Sequence, residues 1–497
     1  MKPAVRSAVI LSAFAIALAA TPGAGPAGAQ DFTELRKPAA GSVGHAGKWM
    51  VDGAGRVVIL HGENVAVKRA PYRPSAAGFG DPDADLLARE GFNAARIAVF
   101  WAAVEPEPGQ YDDGYLADIA GTVAMLNSRG ISTVLELHQD LWSAKYGGSG
   151  APDWASIEDG FPTVPGNPAT GAITNPAYWQ ASENFYNNRQ GPGGVGIRDR
   201  FLAMWRHMAG YFSGVGGVIG YGPLNQPPAG SAFLPCLANA CPPVAADRIQ
   251  ALGRDVSSAI RDNDPATPIW LGGLITSSFG ASPQLGPPPD PNTVYGFNSY
   301  CVVAAFAGGT GVGCGPQWES GAAQAQGYSD ATQTPAVVTE FGATGAHDAL
   351  NENIAIFDNR QVGWFHWTYL GGDPATVSAD PDAQAVSVNP SLLDVLARPY
   401  PQLTSGTPGP WRFDPGTKQF DYSWSTARAT GDGGFPAGAQ TLIATPDRQY
   451  PGGYHVQVAG GRRVSEPGGQ LRIESCPGAG QVSVTVQAGT GPDNQGC

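Results

Sequence analysis

The chain has 497 residues, 42% hydrophobic and 14% charged, with a formal net charge of −13, which is enough for one large domain and a smaller one. The acidic balance and the lack of a basic run argue against nucleic acid or an anionic membrane as partner. The 69 glycines and 44 prolines imply many tight turns.

The first 29 residues read as a targeting segment. Lys2 and Arg6 form a positive start, Val9 to Ala20 is an apolar stretch, and Ala27-Gly28-Ala29 is a small-residue cleavage site. A secreted mature chain beginning at Gln30 is therefore expected. No later stretch approaches ~20 continuous apolar residues, so no transmembrane segment is expected in the mature chain. The cysteines are Cys236, Cys241, Cys301, Cys314, Cys476 and Cys497. An even count in an exported chain points to disulfides. The simplest pairing is local: Cys236–Cys241, Cys301–Cys314 and Cys476–Cys497. None lies in a CxxC pair, so no zinc site and no other cofactor is expected.

Lys48–Ile59 holds Asp52-Gly53 between apolar stretches, a hairpin signal and a candidate plug beneath the strands downstream. Eight short β-type runs come next: Val57–Val65, Ala94–Trp101, Ser132–Asp140, Gly217–Gln226, Pro268–Leu274, Thr293–Tyr300, Pro335–Gly342 and Val362–Leu370. Most are apolar and turn polar or aromatic at the C-terminal end, as strands buried on both faces do. Between them lie helical patterns. In Gly114–Gly130 the residues Leu116, Ile119, Val123 and Leu126 share one helix face; Ile197–Phe212 and Val244–Ile260 read similarly. The alternation predicts a (β/α)8 TIM barrel over 30–397. An open doubly wound sheet would alternate in the same way, but the chemistry collects at strand ends throughout. Pro399, Pro401, Pro408 and Pro410 read as a linker. The short alternating stretches Phe420–Trp424, Gln440–Ala444, Gly453–Val458, Leu471–Glu474 and Gln481–Val486 then predict a C-terminal β-sandwich over 398–497.

A barrel carries its active site at the C-terminal strand ends. Those ends supply Glu63 and Asn64, Arg96 and Trp101, Glu136, His138 and Asp140, Asn225 and Gln226, Asn298 and Tyr300, Glu340, and Trp367. Carboxylates, amides, an arginine and stacking aromatics are what a sugar site needs. Retaining glycoside hydrolysis uses two carboxyls about 5–5.5 Å apart, one a nucleophile and the other an acid/base. Glu340, in Thr339-Glu340-Phe341-Gly342, is the expected nucleophile. The partner belongs in Leu224-Asn225-Gln226-Pro227, where Gln226 carries an amide that cannot act as an acid.

These residues resemble glycoside hydrolase family 5, and within it the endoglycosylceramidases, from about Gly47 to the C-terminus. The resemblance is carried by Leu60–Lys68, Gly91–Tyr111, Leu137–Trp154 with its His-Gln-Asp-Leu and Gly-Ala-Pro-Asp-Trp, Gly194–Gly230 and Thr339–Gly342. It implies cleavage of the glycan–ceramide bond of glycosphingolipids, with a glycan or glycolipid as partner; separately, a monomer is expected. It also implies that Arg96 orients the nucleophile and Asn225 binds the sugar 2-hydroxyl. His138, Asp140 and Lys68 would contact the glycan, Tyr300 would stand beside the nucleophile, and Trp367 would be a stacking platform. The sequence departs from the family at Asn225-Gln226-Pro227-Pro228, where Asn-Glu-Pro-Trp is usual, and at Asn298, where a histidine usually stands. Three functions are compatible with this pattern: a glycosidase with altered chemistry, in which Glu63, Glu136 or Asp140 could be a displaced acid; a non-catalytic glycan- or glycolipid-binding protein; and a β-glucanase, which the specific stretches disfavour.

Overall fold

The computed structural model describes residues 43–497 apart from 165, 167, 308–310, 312, 371–375, 378–387, 466–467 and 495. The expected targeting segment and the start of the mature chain lie outside the described residues.

Eight strands close a parallel barrel: β1 His61–Val65, β2 Ala94–Val99, β3 Ser132–Leu137, β4 Val218–Gly222, β5 Ile269–Gly272, β6 Thr293–Ser299, β7 Ala336–Gly342 and β8 Trp364–Trp367. Pairing of β8 with β1 completes the ring. The near-continuous apolar runs exist because both strand faces are covered. Ile97, Leu135, Tyr221 and Trp364 face the helix layer, while Ala94, Val134, Trp270, Val294, Val337 and Phe365 fill the barrel floor. The helix of Asp113–Asn127 buries Leu116, Ile119, Val123 and Leu126, and Asp112 caps it by accepting from the Tyr115 N–H. Such a cap typically contributes about 1 kcal/mol. Helices Ile197–Phe212 and Pro243–Arg261 lie where the periodicity predicts them.

The N-terminal hairpin does more than plug the barrel. Strands Val43–Ala46, Trp49–Asp52 and Val57–Val58 run antiparallel. The expected run Val57–Val65 divides, because Val57 and Val58 pair with Thr404 and Leu403 of a C-terminal strand before the chain enters β1 at His61. These strands therefore form one seven-stranded sheet with Tyr400–Thr404, Gln440–Ala444, Gln470–Ser475 and Gly461–Arg463. A four-stranded sheet of Thr407–Asp414, Gln419–Ser425, Gln481–Ala488 and Tyr454–Ala459 packs against it. The shared core joins Val51, Val57 and Ile59 to Trp411, Trp424, Ile443 and Val484. Met50, Val58 and Leu60 meanwhile join the barrel floor. One short hairpin thus serves two cores.

The expected proline linker is strand instead. Pro401 lies in Tyr400–Thr404, and Pro408 and Pro410 lie in Thr407–Asp414. The register slips between Pro401 and Leu403 and again between Pro408 and Trp411. A bulge accommodates a residue that has no N–H for the ladder, so these prolines interrupt pairing locally without ending the strands. Disulfides join Cys236–Cys241, Cys301–Cys314 and Cys476–Cys497. The first ties the loop after β4 and the second the loop after β6.

Met50 is 4% exposed and sits where the hairpin meets the barrel floor. Met50→Ala is expected to destabilise the protein by about 2–4 kcal/mol through the cavity it leaves. Urea unfolding with an unchanged slope would measure this.

Candidate active site

Strict alternation along β7 would turn Val337 and Thr339 inward and Glu340 outward. The register of β7 slips against both neighbours at this point, between Val338 and Glu340 on the β6 side and between Val338 and Phe341 on the β8 side. The bulge lets Thr339 and Glu340 both face the barrel interior. Phe341 then packs outward on Phe357, Trp364 and His366.

Glu340 is 3% exposed and held by two donors. Arg96 Nη1 reaches its Oε1 at 2.8 Å, and the Tyr300 hydroxyl reaches its Oε2 at 2.9 Å. Burial, and then the charge of Glu340, push the Tyr300 phenol well above its ordinary pKa, so it stays a donor. Arg96 is a hub. Its Nη1 also donates to Asn64 Oδ1 at 2.8 Å, its Nη2 donates to Asn225 Oδ1 at 3.0 Å, and Nη2 lies 3.2 Å from Glu136 Oε1. Asn64 in turn donates to the carbonyls of Thr339 and His366, at 2.9 and 3.1 Å, clasping β1 to β7 and β8.

A second group lies beside this one. His138 Nδ1 is 3.2 Å from Glu136 Oε1, His138 Nε2 is 3.4 Å from Asp140 Oδ2, and Lys68 Nζ is 2.7 Å from the same Asp140 oxygen. Burial by itself would depress the His138 pKa, but the carboxylates of Glu136 and Asp140 outweigh it and raise it to about 9, with Lys68 in opposition. Asp140 shows the reverse balance: burial raises its pKa, yet Lys68 and His138 hold it far below the usual carboxylate range. Trp367 stacks on His138 with centroids 5.1 Å apart, and Lys68 lies 4.4 Å above the Trp367 ring. An aromatic face, an ammonium, an imidazolium and a carboxylate thus share one wall.

Gln226 and Asn298 lie on the opposite side. Gln226 has φ 42°, the left-handed region that a side chain rarely adopts. Gln139 braces this turn, its Nε2 donating to the carbonyls of Asn225 and Gln226 at 2.9 and 2.8 Å. The Gln226 amide Nε2 donates to Ser278 Oγ at 3.0 Å. Asn298 accepts from Thr339 Oγ1 at 2.7 Å.

Two strand-end residues fall outside the mouth. Glu63 precedes inward-facing Asn64, so alternation points it into the helix layer, where it is fully buried and 2.9 Å from His366 Nδ1. Burial raises its pKa, with His366 opposing, but its position removes it as a displaced acid. Trp101 packs among Trp142, Trp154 and Phe201, and its indole N–H donates to Glu105. Asp140, held ionised, and Glu136, already paired with Arg96 and His138, are poorly suited to protonate a leaving group. Sequence alone assigns no role to Gln139 or Ser278. Gln139 sits in the distinctive His-Gln-Asp-Leu stretch and could have been suspected, whereas nothing local marks Ser278.

The barrel with this mouth matches known proteins. Residues 74–372 match the model of Cellulase (glycosyl hydrolase family 5), and residues 398–486 match the glycoside hydrolase family 5 C-terminal domain. The chain belongs to glycoside hydrolase family 5. Endoglycoceramidase I of Rhodococcus hoagii (strain 103S) is 31% identical over 458 residues, covering 88% of this chain and 87% of that protein. Endo-glycoceramidase II from Rhodococcus sp., in its ganglioside GM3 complex, superposes with TM-score 0.74 at 25% identity, covering 89% of this chain and 99% of that one. The same enzyme as a lactosyl-enzyme intermediate gives TM-score 0.72 at 25% identity, covering 89% of this chain and 100% of that one. A glycosidase family therefore frames the chemistry of this mouth.

The raised pKa of His138 gives a direction for pH dependence. The stabilisation that the imidazolium contributes is fully present below the ordinary histidine pKa and is lost as pH rises through about 9. Histidine NMR should show this ring protonated at neutral pH, and Asp140→Asn should bring its titration down. A ring that titrates near the ordinary value in the unmutated protein would overturn the assignment.

Proposed function

We propose that this family 5 chain is a secreted endoglycoceramidase-type glycosidase in which Glu340 attacks the anomeric carbon with overall retention, and in which the acid/base step is impaired because Gln226 occupies its position. The observation that carries the reading is the pair of donors on Glu340: Arg96 and Tyr300 each bind one carboxylate oxygen. Together they fix the direction of the carboxylate, as a nucleophile requires. Arg96 also orients Asn225 toward the place where a sugar 2-hydroxyl would lie, and Trp367 with Lys68, His138 and Asp140 would hold the glycan. The lactosyl-enzyme intermediate and the GM3 complex of the Rhodococcus enzyme support a covalent mechanism and a glycolipid substrate for this chain by likeness.

The same geometry limits the chemistry. A ceramide alkoxide is a poor leaving group and needs a proton as it departs; the Gln226 amide has none to give. General acid–base catalysis typically contributes ~10²–10⁴-fold, and substrates with good leaving groups lose least. A second reading is a glycolipid-binding protein without turnover. The intact Lys68–Asp140–His138–Trp367 wall opposite a side chain that cannot transfer a proton favours it.

Intact-protein mass spectrometry with a fluorosugar that carries a good leaving group separates the two. A covalent adduct on the unmutated protein, absent from Glu340→Gln, is the expected result; an equal adduct on both would reassign the nucleophile, and none on either would support binding alone. Gln226→Glu is expected to raise ceramide-glycan cleavage by as much as ~10²-fold, and cleavage of an activated aryl glycoside far less. Strong cleavage of native glycosphingolipid by the unmutated protein, with no gain from Gln226→Glu, would refute the missing-acid account.

A further inference from the structure

A narrow cavity runs inside the barrel beneath Gln226. Its floor is Val134 and Trp270, its walls include Gly222, Gly272 and Gly296, and its upper end is formed by Asn225, Gln226 and Ser278. Its volume is about 30 Å³, room for roughly two waters. The glycines create this space, since inward-facing barrel positions are ordinarily filled by branched side chains. Asn298 lines the cavity at 6% exposure, and its Nδ2 is a buried donor with no partner among the described residues. Its Oδ1 is already occupied by Thr339. Ser278 Oγ accepts from Gln226, which leaves its hydroxyl hydrogen for another acceptor. Leaving a buried amide donor unpaired is unfavourable, so this position calls for an acceptor.

We propose that the cavity is a binding site for a small carboxylic acid, of the size of formic acid, which supplies the proton transfer that Gln226 cannot. The proposal rests on the reading of Glu340 as nucleophile given above. The acid's carbonyl oxygen would accept from Asn298 Nδ2 and Ser278 Oγ, and its O–H would face the mouth beside Gln226, where a leaving group departs. Arg96 and Glu136 line the same cavity, and the Arg96 guanidinium is already shared between the two carboxylates of Glu136 and Glu340. Neighbouring carboxylates disfavour a further anion, so the neutral acid is the form retained, and the neutral acid is the form that can donate. In the first half-reaction Glu340 bonds to the anomeric carbon, the glycosidic C–O bond breaks, and the acid's proton passes to the departing oxygen, leaving a carboxylate. In the second, that carboxylate takes a proton from water, the water oxygen displaces Glu340, and the acid is restored. The net reaction is hydrolysis, with the carboxylic acid unchanged.

Gly272 gives a way to close the cavity without touching the reacting groups. A Cβ there would meet only Gly296 O at 3.6 Å, Pro227 Cδ at 3.9 Å and Leu224 O at 4.0 Å, all ordinary contacts. Cleavage of an aryl glycoside with a poor leaving group would be followed against sodium formate at constant ionic strength, alongside proton saturation-transfer NMR of formate on the same protein. The expected result is a saturable rise of about tenfold or more, with saturation transfer to formate. Both should be lost in Gly272→Val, and weakened in Gly272→Ala should valine prevent folding, while fluorosugar labelling of Glu340 persists. A linear, unsaturable rise equal in all three proteins would mean attack from bulk solvent and overturn the site. No rise and no saturation transfer, with Glu340 still labelled, would overturn it and leave the nucleophile standing. Failure of Glu340 to label would overturn the parent reading and this proposal together.

Discussion

The Arg96 guanidinium is the interaction around which the barrel mouth is organised. It is 4% exposed and binds Glu340, Asn64, Asn225 and Glu136, which come from four different strands or strand ends. A guanidinium suits this place because its planar fork presents five donors in fixed directions and does not lose its charge. Burying it is costly, and the cost is offset only because carboxylates and amides surround it. Removing it would leave Glu340 a buried carboxylate without its cation, a loss of roughly 3–5 kcal/mol. The same contacts that make the mouth stable therefore make it rigid, and they aim Glu340.

Around that hub the backbone departs from regularity where function would require it. The slip in β7 turns Glu340 inward beside Thr339. Gln226 occupies a left-handed conformation held by Gln139. Strain of this kind costs of order 1–3 kcal/mol per residue and survives only where the surroundings over-determine it. At Gln226 a bracing side chain and the following Pro227 do so. The turn thus holds the Gln226 amide in one fixed direction at the end of β4.

The two halves of the mouth have different electrostatic character. On one wall Glu136, His138, Asp140 and Lys68 form an alternating series of charges, each stabilising the next, so His138 remains cationic and Asp140 anionic. On the other wall Gln226, Ser278 and Asn298 are all neutral. Recognition of a polyhydroxylated sugar needs the first kind of surface, and proton transfer needs a titratable group on the second. In the proposed function this asymmetry is what separates glycan binding from turnover.

Much of this was legible in the chain. The apolar runs and helical periodicity determine the barrel, since a strand buried on both faces needs little beyond local composition to be recognised. The strand-end residues Arg96, His138, Asp140, Asn225, Asn298, Tyr300, Glu340 and Trp367 were identifiable as a group because a parallel barrel brings all such ends to one face. Tertiary structure decided the rest. A period-two pattern cannot reveal a bulge, so the inward turn of Glu340 and the strand character of the Pro401 and Pro408 segments depended on pairing with neighbours. Glu63 and Trp101 looked like mouth residues because they occur at strand ends; alternation within the closed barrel sent Glu63 outward, and aromatic packing took Trp101 into the core. The division of one hairpin between two cores, and the meeting of Gln226 with Ser278 52 residues away, arise from long-range closure of the chain, which no local pattern encodes.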